Sequence, residues 1–177
     1  MRPVRYNVAA SLDGYIAGPH GEYDWIPDDP TVDFAALFAA VDTVLLGRRS
    51  YEVARTQPAM SWPAGARVYV FSRTLRPADH PAVTVVRDDA PSVVAALRAE
   101  RGAGEIWLFG GGALFGSLLA AGQVDMVEVT VVPVLLGEGV RLLPPGAPRT
   151  ALRLTHSHRY PSGMVGLHYA VPSARSA

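Results

Sequence analysis

Runs of apolar residues with strand character alternate along the chain with stretches whose apolar residues recur at helical spacing. "VRYNVAA" (4–10) reads as a strand with buried positions on both faces, and "SLDGYIAGPHGEYDWIPDDP" (11–30) as a polar, Gly/Pro-rich connection. "TVDFAALFAA" (31–40) predicts a helix with Phe34, Leu37, Phe38 and Val41 on one stripe, opened by Pro30 or Thr31. Strands follow at 42–47, 66–72 and 82–86, with a short helix from about Ser50 between the first two. Residues 90–102 form a predicted helix with Pro91 in the first turn and Gly102 as its stop. "EIWLFGGG" takes a strand into a glycine turn, and 113–122 is a helix stopped by Gly122. "DMVEVTVVPVLLG" (125–137) reads as one long strand, and 151–160 and 164–171 as an antiparallel hairpin joined by "PSG". Strands that alternate with helices imply a mostly parallel, twisted sheet with helices on both faces. The hairpin would then add antiparallel strands at one edge.

One domain with a substantial core fits a chain of 177 residues, with 172–177 expected to fray. Acids and bases balance, so no polyanion-binding surface is expected and nucleic acid is not a predicted partner. There is no cysteine, which removes disulfides, zinc-thiolate and iron–sulfur sites and a cysteine nucleophile. All sixteen basic residues are arginine, which removes a P-loop or Schiff-base lysine. The opening "MRPVRYNVAASLDGYIAG" does not read as a signal peptide, and no apolar run reaches the roughly 18 residues of a membrane span. A soluble, cytoplasmic protein is the expectation.

The candidate chemistry sits at the ends of three predicted strands. In an open parallel sheet, ligands bind beyond the carboxyl ends of the strands. There the chain places Gly47, Arg48, Arg49 and Ser50; then Ser72 and Arg73; then Gly110, Gly111, Gly112 and Ala113. Glycines allow close backbone approach, a helix N-terminus offers free N–H groups, and arginines and hydroxyls suit phosphate oxygens. Taken together, the three strand ends would surround an elongated, phosphate-bearing ligand. A tight strand–helix turn is the other reading of the glycines, and a solvated charge the other reading of each arginine. The G-x-G-x-x-G fingerprint does not fit, because Phe115 stands where its third glycine is required.

The segments "NVAASLDGYIAGPHGEYDW", "LLGRRSYE", "VFSRTL" and "IWLFGGGALFGSLLAAGQVDMVEVTVVPVLLGEG" resemble the dihydrofolate reductase-like superfamily. The branch is the one similar to the C-terminal reductase domain of the bifunctional riboflavin-biosynthesis deaminase-reductase, and the likeness runs from about residue 4 to 171. It implies a three-layer α/β fold of the dihydrofolate reductase type and NADPH as hydride donor. It would bring the Ala9 backbone and Ile16 to the nicotinamide, Gly47, Arg48, Arg49 and Ser50 to the phosphates, and Ser72 and Arg73 to the adenosine 2′-phosphate. Gly110, Gly111, Gly112 and Ala113 would pass under the pyrophosphate, with a cis peptide often found in the glycine pair. Deamination is not implied, since that half of the bifunctional enzyme needs a cysteine-containing zinc site. The acid that folate reductases hold against the pterin aligns best with Asp33, with Asp28 and Asp29 as rivals; an aspartate there is also an ordinary helix start. The implied substrate is a ribosylaminopyrimidine, a folate being second. An NADP-binding module without turnover is the reading from another class.

Trp25, beside Tyr23, could stack on a flat substrate or anchor its own loop. Asp13 could face the pocket, but Asp-Gly is also a turn signal, and the turn is favoured. His156 and His158 share a strand face but are too few for a metal site; His20, His80 and His168 are isolated, and Glu128 needs no special role. The long apolar run 125–137 could pair with a second copy, and a homodimer is expected on the family's habit as well.

Overall fold

The computed structural model describes residues 1–57, 62–101 and 104–172. Among these residues, ten strands and four α-helices follow the order β1 (Val4–Ser11), β2 (Tyr15–Ala17), α1 (Phe34–Ala40), β3 (Val41–Gly47), α2 (Arg48–Arg55), β4 (Arg67–Phe71) and β5 (Thr84–Val86). They continue with α3 (Ala90–Ala99), β6 (Glu105–Gly110), α4 (Gly112–Ala120), β7 (Met126–Val132), β8 (Val140–Arg141), β9 (Arg153–Arg159) and β10 (Val165–Ala170). Eight strands form one sheet in the order β5-β4-β3-β6-β1-β7-β10-β9, and β2 pairs with β8 in a separate ribbon. From β5 to β7 the pairing is parallel; β10 runs antiparallel to both β7 and β9. This is the expected α/β sheet with its antiparallel C-terminal edge.

Two cores lie on opposite faces. On one, Val4, Tyr6 and Ala10 of β1 meet Val94 and Leu97 of α3 and Leu114, Phe115 and Leu118 of α4, with Tyr6 stacked on Phe115 at 4.0 Å between ring centroids. On the other, Val44 and Leu46 of β3, Val68 and Val70 of β4 and Trp107 of β6 meet Leu37 of α1 and Tyr51 of α2. Burying each such aliphatic side chain contributes about 1.5–3 kcal/mol relative to exposure. The amino ends of the strands are closed by Arg2, which is 4% exposed. Its guanidinium pairs with Asp42 and Glu100 and donates to Thr43 and to the Leu97 and Gly104 carbonyls. A buried cation needs such a full set of partners.

Several boundaries differ from the sequence expectation for local reasons. α1 begins at Phe34, because Asp29 and Asp33 hold residues 29–33 in turns. The expected stripe is therefore divided: Leu37 is buried, Phe34 is 55% exposed, and Val41 opens β3. α2 starts at Arg48, directly out of β3. β7 stops at Val132 before Pro133, which cannot donate to the ladder. α3 ends at Ala99; its expected stop Gly102 and residues 173–177 of the tail lie outside the described residues. β2 and β8 fall where only loops were expected. β7 lies between β1 and β10, so it has no free edge for a second copy; the free edges belong to β5 and β9.

Candidate active site

The carboxyl ends of β3 and β6, adjacent strands, both turn straight into helices. Neither α2 nor α4 has a side-chain cap: their N-caps are Gly47 and Gly111. The first N–H groups of each helix therefore have no partner within it. The two helix starts are close neighbours. A Cβ on Gly47 would stand 3.7 Å from the Gly110 carbonyl, and one on Gly111 would stand 3.2 Å from Ser50 Oγ. Gly47, Ser50, Gly110 and Gly111 thus form one unit, and the Gly110–Gly111 peptide is cis.

The three glycines are bare for different reasons. Gly110 has φ +141°, which side chains rarely adopt. Gly111 keeps room beside Ser50. Gly112 faces protein: a Cβ there would run into the Arg141 carbonyl and come 2.9 Å from that of Leu142. The chain that crosses it is the β8 segment, tied down by Leu142 N–H on the Gly14 carbonyl and by Tyr15–Arg141 pairing. Ala113 is exposed at the start of α4.

A groove of about 530 Å³ lies between β2, the first turn of α2 and residues 138–141, lined by Tyr15, Arg49, Glu138 and Arg141 among others. The Arg141 guanidinium lies over the Tyr15 ring, 5.4 Å from its centroid. Arg141 was not among the expected residues. The missing signal is its partner, since β8 is two residues long and pairs with β2 over 120 positions away. Arg49 is exposed in this groove, while Arg48 is engaged with Glu52 one turn on, at 2.9 Å.

Asp13 fixes the loop after β1. Its carboxylate accepts Ser11 Oγ–H at 2.6 Å, Gly137 N–H at 2.7 Å and Leu136 N–H at 3.1 Å. The Ser11 hydroxyl first, then these backbone donors, hold its pKa down to about 2. The favoured turn reading therefore fits, with the added role of joining the 11–17 loop to residues 136–137. Ile16, in β2, packs against the α4-side core, and Ala9 sits opposite Thr130 of β7 near the carboxyl end of β1.

At the end of β4, Ser72 is buried and its Oγ accepts the Thr74 and Leu75 N–H groups, so the hydroxyl shapes the turn. Arg73 is exposed and has no ion pair among the described residues. Asp33 is exposed; one carboxylate oxygen accepts Ala36 N–H at 2.9 Å as the cap of α1. Its rival Asp29 is 8% exposed and ties the approach to α1 to the hairpin turn through Ser162 N–H. Hydrogen bonds from Ser162 and Thr31 hold the Asp29 carboxyl well below the usual range. Trp25 closes its own loop, donating its indole N–H to the Glu22 carbonyl at 3.1 Å. Glu128, unremarkable in the sequence, is a buried hub: it takes Arg5 at 2.8 Å, Asn7 at 2.9 Å and His168 at 3.3 Å. Among the described residues no three acidic or histidine side chains converge as a metal set, and no helix is long and apolar enough to cross a membrane.

The family model for the RibD C-terminal domain matches residues 2–166. The chain belongs to the RibD C-terminal domain family. Similar family relatives include two Bacillus subtilis (strain 168) proteins, YyaP and YwjB. YyaP is 31% identical over 96% of this chain and 95% of its own length, and YwjB is 31% identical over 92% and 94%. A structure of a putative riboflavin biosynthesis protein from Shewanella sp. PV-4 is 27% identical, with a TM-score of 0.82 over 98% of this chain and all of that one. The deaminase/5-amino-6-(5-phosphoribosylamino)uracil reductase of Thermotoga maritima shares the fold, at 20% identity and a TM-score of 0.68; the match spans 97% of this chain and 57% of that one.

Proposed function

We propose that this family member is an NADPH-dependent reductase of a small pyrimidine-like heterocycle, of the type reduced in riboflavin biosynthesis. The observation that carries the reading is the pair of uncapped helix starts held together at Gly47, Ser50, Gly110 and Gly111. Two helix starts lie together there, with Arg49 in the first turn of α2 and Arg141 in the segment that crosses Gly112, and that donor set suits a diphosphate. Exposed Arg73, two strands from Gly110, would meet the adenosine 2′-phosphate. Ala9 and Ile16 would border the nicotinamide, which when bound supplies the hydride. Asp33, at the open start of α1, is the acid proposed to serve the substrate, and Trp25 a wall of the same approach. A homodimer belongs to the proposal; β9, with all seven residues exposed, is the free edge it would use. The uracil-reductase activity of the Thermotoga maritima relative supports the substrate class.

A titration with NADPH and NADH tests the cofactor. Arg73→Ala should weaken NADPH by about tenfold, the loss of one charge-assisted contact, and leave NADH unchanged. Equal losses for both would refute the placement of Arg73. Capping of α1 by Asp33 favours a second reading, a nucleotide-binding module without turnover. Tight NADPH binding with no oxidation across a panel of pyrimidines and pteridines would decide for it.

A further inference from the structure

Helices α1 and α2 pack over β3, β4 and β6. On the same sheet face, β1, β7 and β10 carry two rows in register. One row is Asn7, Glu128 and His168; the other, one pair nearer the carboxyl end of β1, is Ala9, Thr130 and Gly166. The second row has only small side chains, and Tyr160 lies against Gly166, where a Cβ would be 3.3 Å from the ring.

In the first row, everything hangs on Glu128, which is 6% exposed. Only the amide nitrogen of Asn7 can donate to a carboxylate, and Nδ2 does so, which leaves Oδ1 as an acceptor with no partner among the described residues. His168 Nδ1 stands 3.3 Å from Glu128 Oε1, and a carboxylate on that side favours the tautomer with the proton on Nδ1 and Nε2 as the acceptor. Arg5 Nη1 takes the remaining charge of Glu128. The network therefore presents two hydrogen-bond acceptors beside a floor of small residues, next to Ala9. His156, opposite His168 on β9, packs edge-on against it at 5.5 Å between ring centroids and limits its rotation.

We propose that this strip recognises the substrate: a flat heterocycle lies on Ala9 and Thr130 and donates its ring N–H groups to Asn7 Oδ1 and His168 Nε2. The proposal rests on the reading that the nicotinamide comes to Ala9, since that puts the heterocycle beside it. Glu128 acts as a positioning residue, and the specificity is for N–H donors over alkylated or carbonyl edges. A site built from acceptors rejects a ligand that lacks the matching donors, because its polar groups are then left unpaired.

The test uses the whole chain at neutral pH and two probes, 5,6-diaminouracil and its 1,3-dimethyl analogue, titrated calorimetrically with and without saturating NADP⁺. Wild type should bind the first at least about tenfold more tightly than the second, the loss expected for missing donor contacts. His168→Phe should weaken 5,6-diaminouracil by about tenfold, and His168→Gln, which keeps a donor for Glu128 and an acceptor outward, should stay within about threefold of wild type. Unchanged NADP⁺ affinity and circular dichroism in both variants would show that the loss is local. Equal binding of the two probes, wild-type binding by His168→Phe, or no binding of 5,6-diaminouracil by wild type would each overturn the proposal. If NADP⁺ fails to bind wild type, the reductase reading falls, while the cofactor-free probe titrations still decide the strip.

Discussion

Gly112→Ala probes the packing of the α4 start against the β8 segment, which lines the groove. The added methyl would overlap the Arg141 carbonyl and press the Leu142 carbonyl at 2.9 Å, both backbone atoms. Neither can swing aside, because Leu142 N–H is bonded to Gly14 at 2.9 Å and Arg141 is paired with Tyr15. Overpacking of this kind costs about 1–3 kcal/mol. Alanine's helix propensity would return up to about 1 kcal/mol in a helix interior and less at a first position. A net loss of about 2 kcal/mol follows, which for this chain length lowers Tm by about 4–8 °C. The start of α4 or the β8 segment must move, so NADPH affinity should also fall by about tenfold on the proposed reading. Gly122→Ala is the control: φ is +65° with open space around a Cβ, so it should cost about 1 kcal/mol and leave NADPH binding alone. Thermal melts and fluorescence titration of NADPH check both. A Gly112→Ala protein that melts and binds as wild type would refute the crossing-chain explanation of this glycine.

Three further outcomes follow from the same geometry. The Asp13 carboxyl is depressed from the ordinary value of 3.8 to about 2, so its stabilising bonds are intact above pH 4 and lost as pH falls toward 2; the Tm difference between wild type and Asp13→Asn should be constant above pH 4 and shrink below it, and a pH-independent difference would refute this. Asp33→Asn should keep the α1 cap and the melting temperature, whereas Asp33→Ala should lose about 1 kcal/mol; a fall in turnover common to both variants would mark the proposed chemical role. Tyr6 has a buried hydroxyl with no partner among the described residues, and burial pushes its pKa well up; Tyr6→Phe should keep the stack on Phe115 and gain about 1 kcal/mol, seen as a rise of about 2–4 °C in Tm.

Elements that bury a face of their own were legible in the sequence. β1, β3, β6 and α4 carry apolar residues at the spacing their geometry demands, and each falls within a residue or two of its expected place. The β2–β8 ribbon was not legible, because two strands of three and two residues have no period to read and owe their form to partners far along the chain. The same separation explains the partial reading of Asp13: its turn is local, its Leu136 and Gly137 donors are not. The glycine triplet announced where backbone had to come close, but one bare position answers to a backbone angle, one to Ser50 and one to a crossing strand. Glu128 did leave a trace, since a lone acid in an apolar strand must find donors across the sheet, and Arg5 and Asn7 have the right parity on β1. The apolar run 125–137 reads as an interface because an interior strand and an interface strand bury the same residue types. What separates them is whether another strand of the same chain covers the edge. β10 does so for β7, and it leaves β9 as the outer strand, which carries Arg153, His156, His158 and Arg159. Such polar, basic residues are how a free edge resists indiscriminate pairing. A second copy that docks there must bring complementary acids or meet the sheet face rather than extend the ladder.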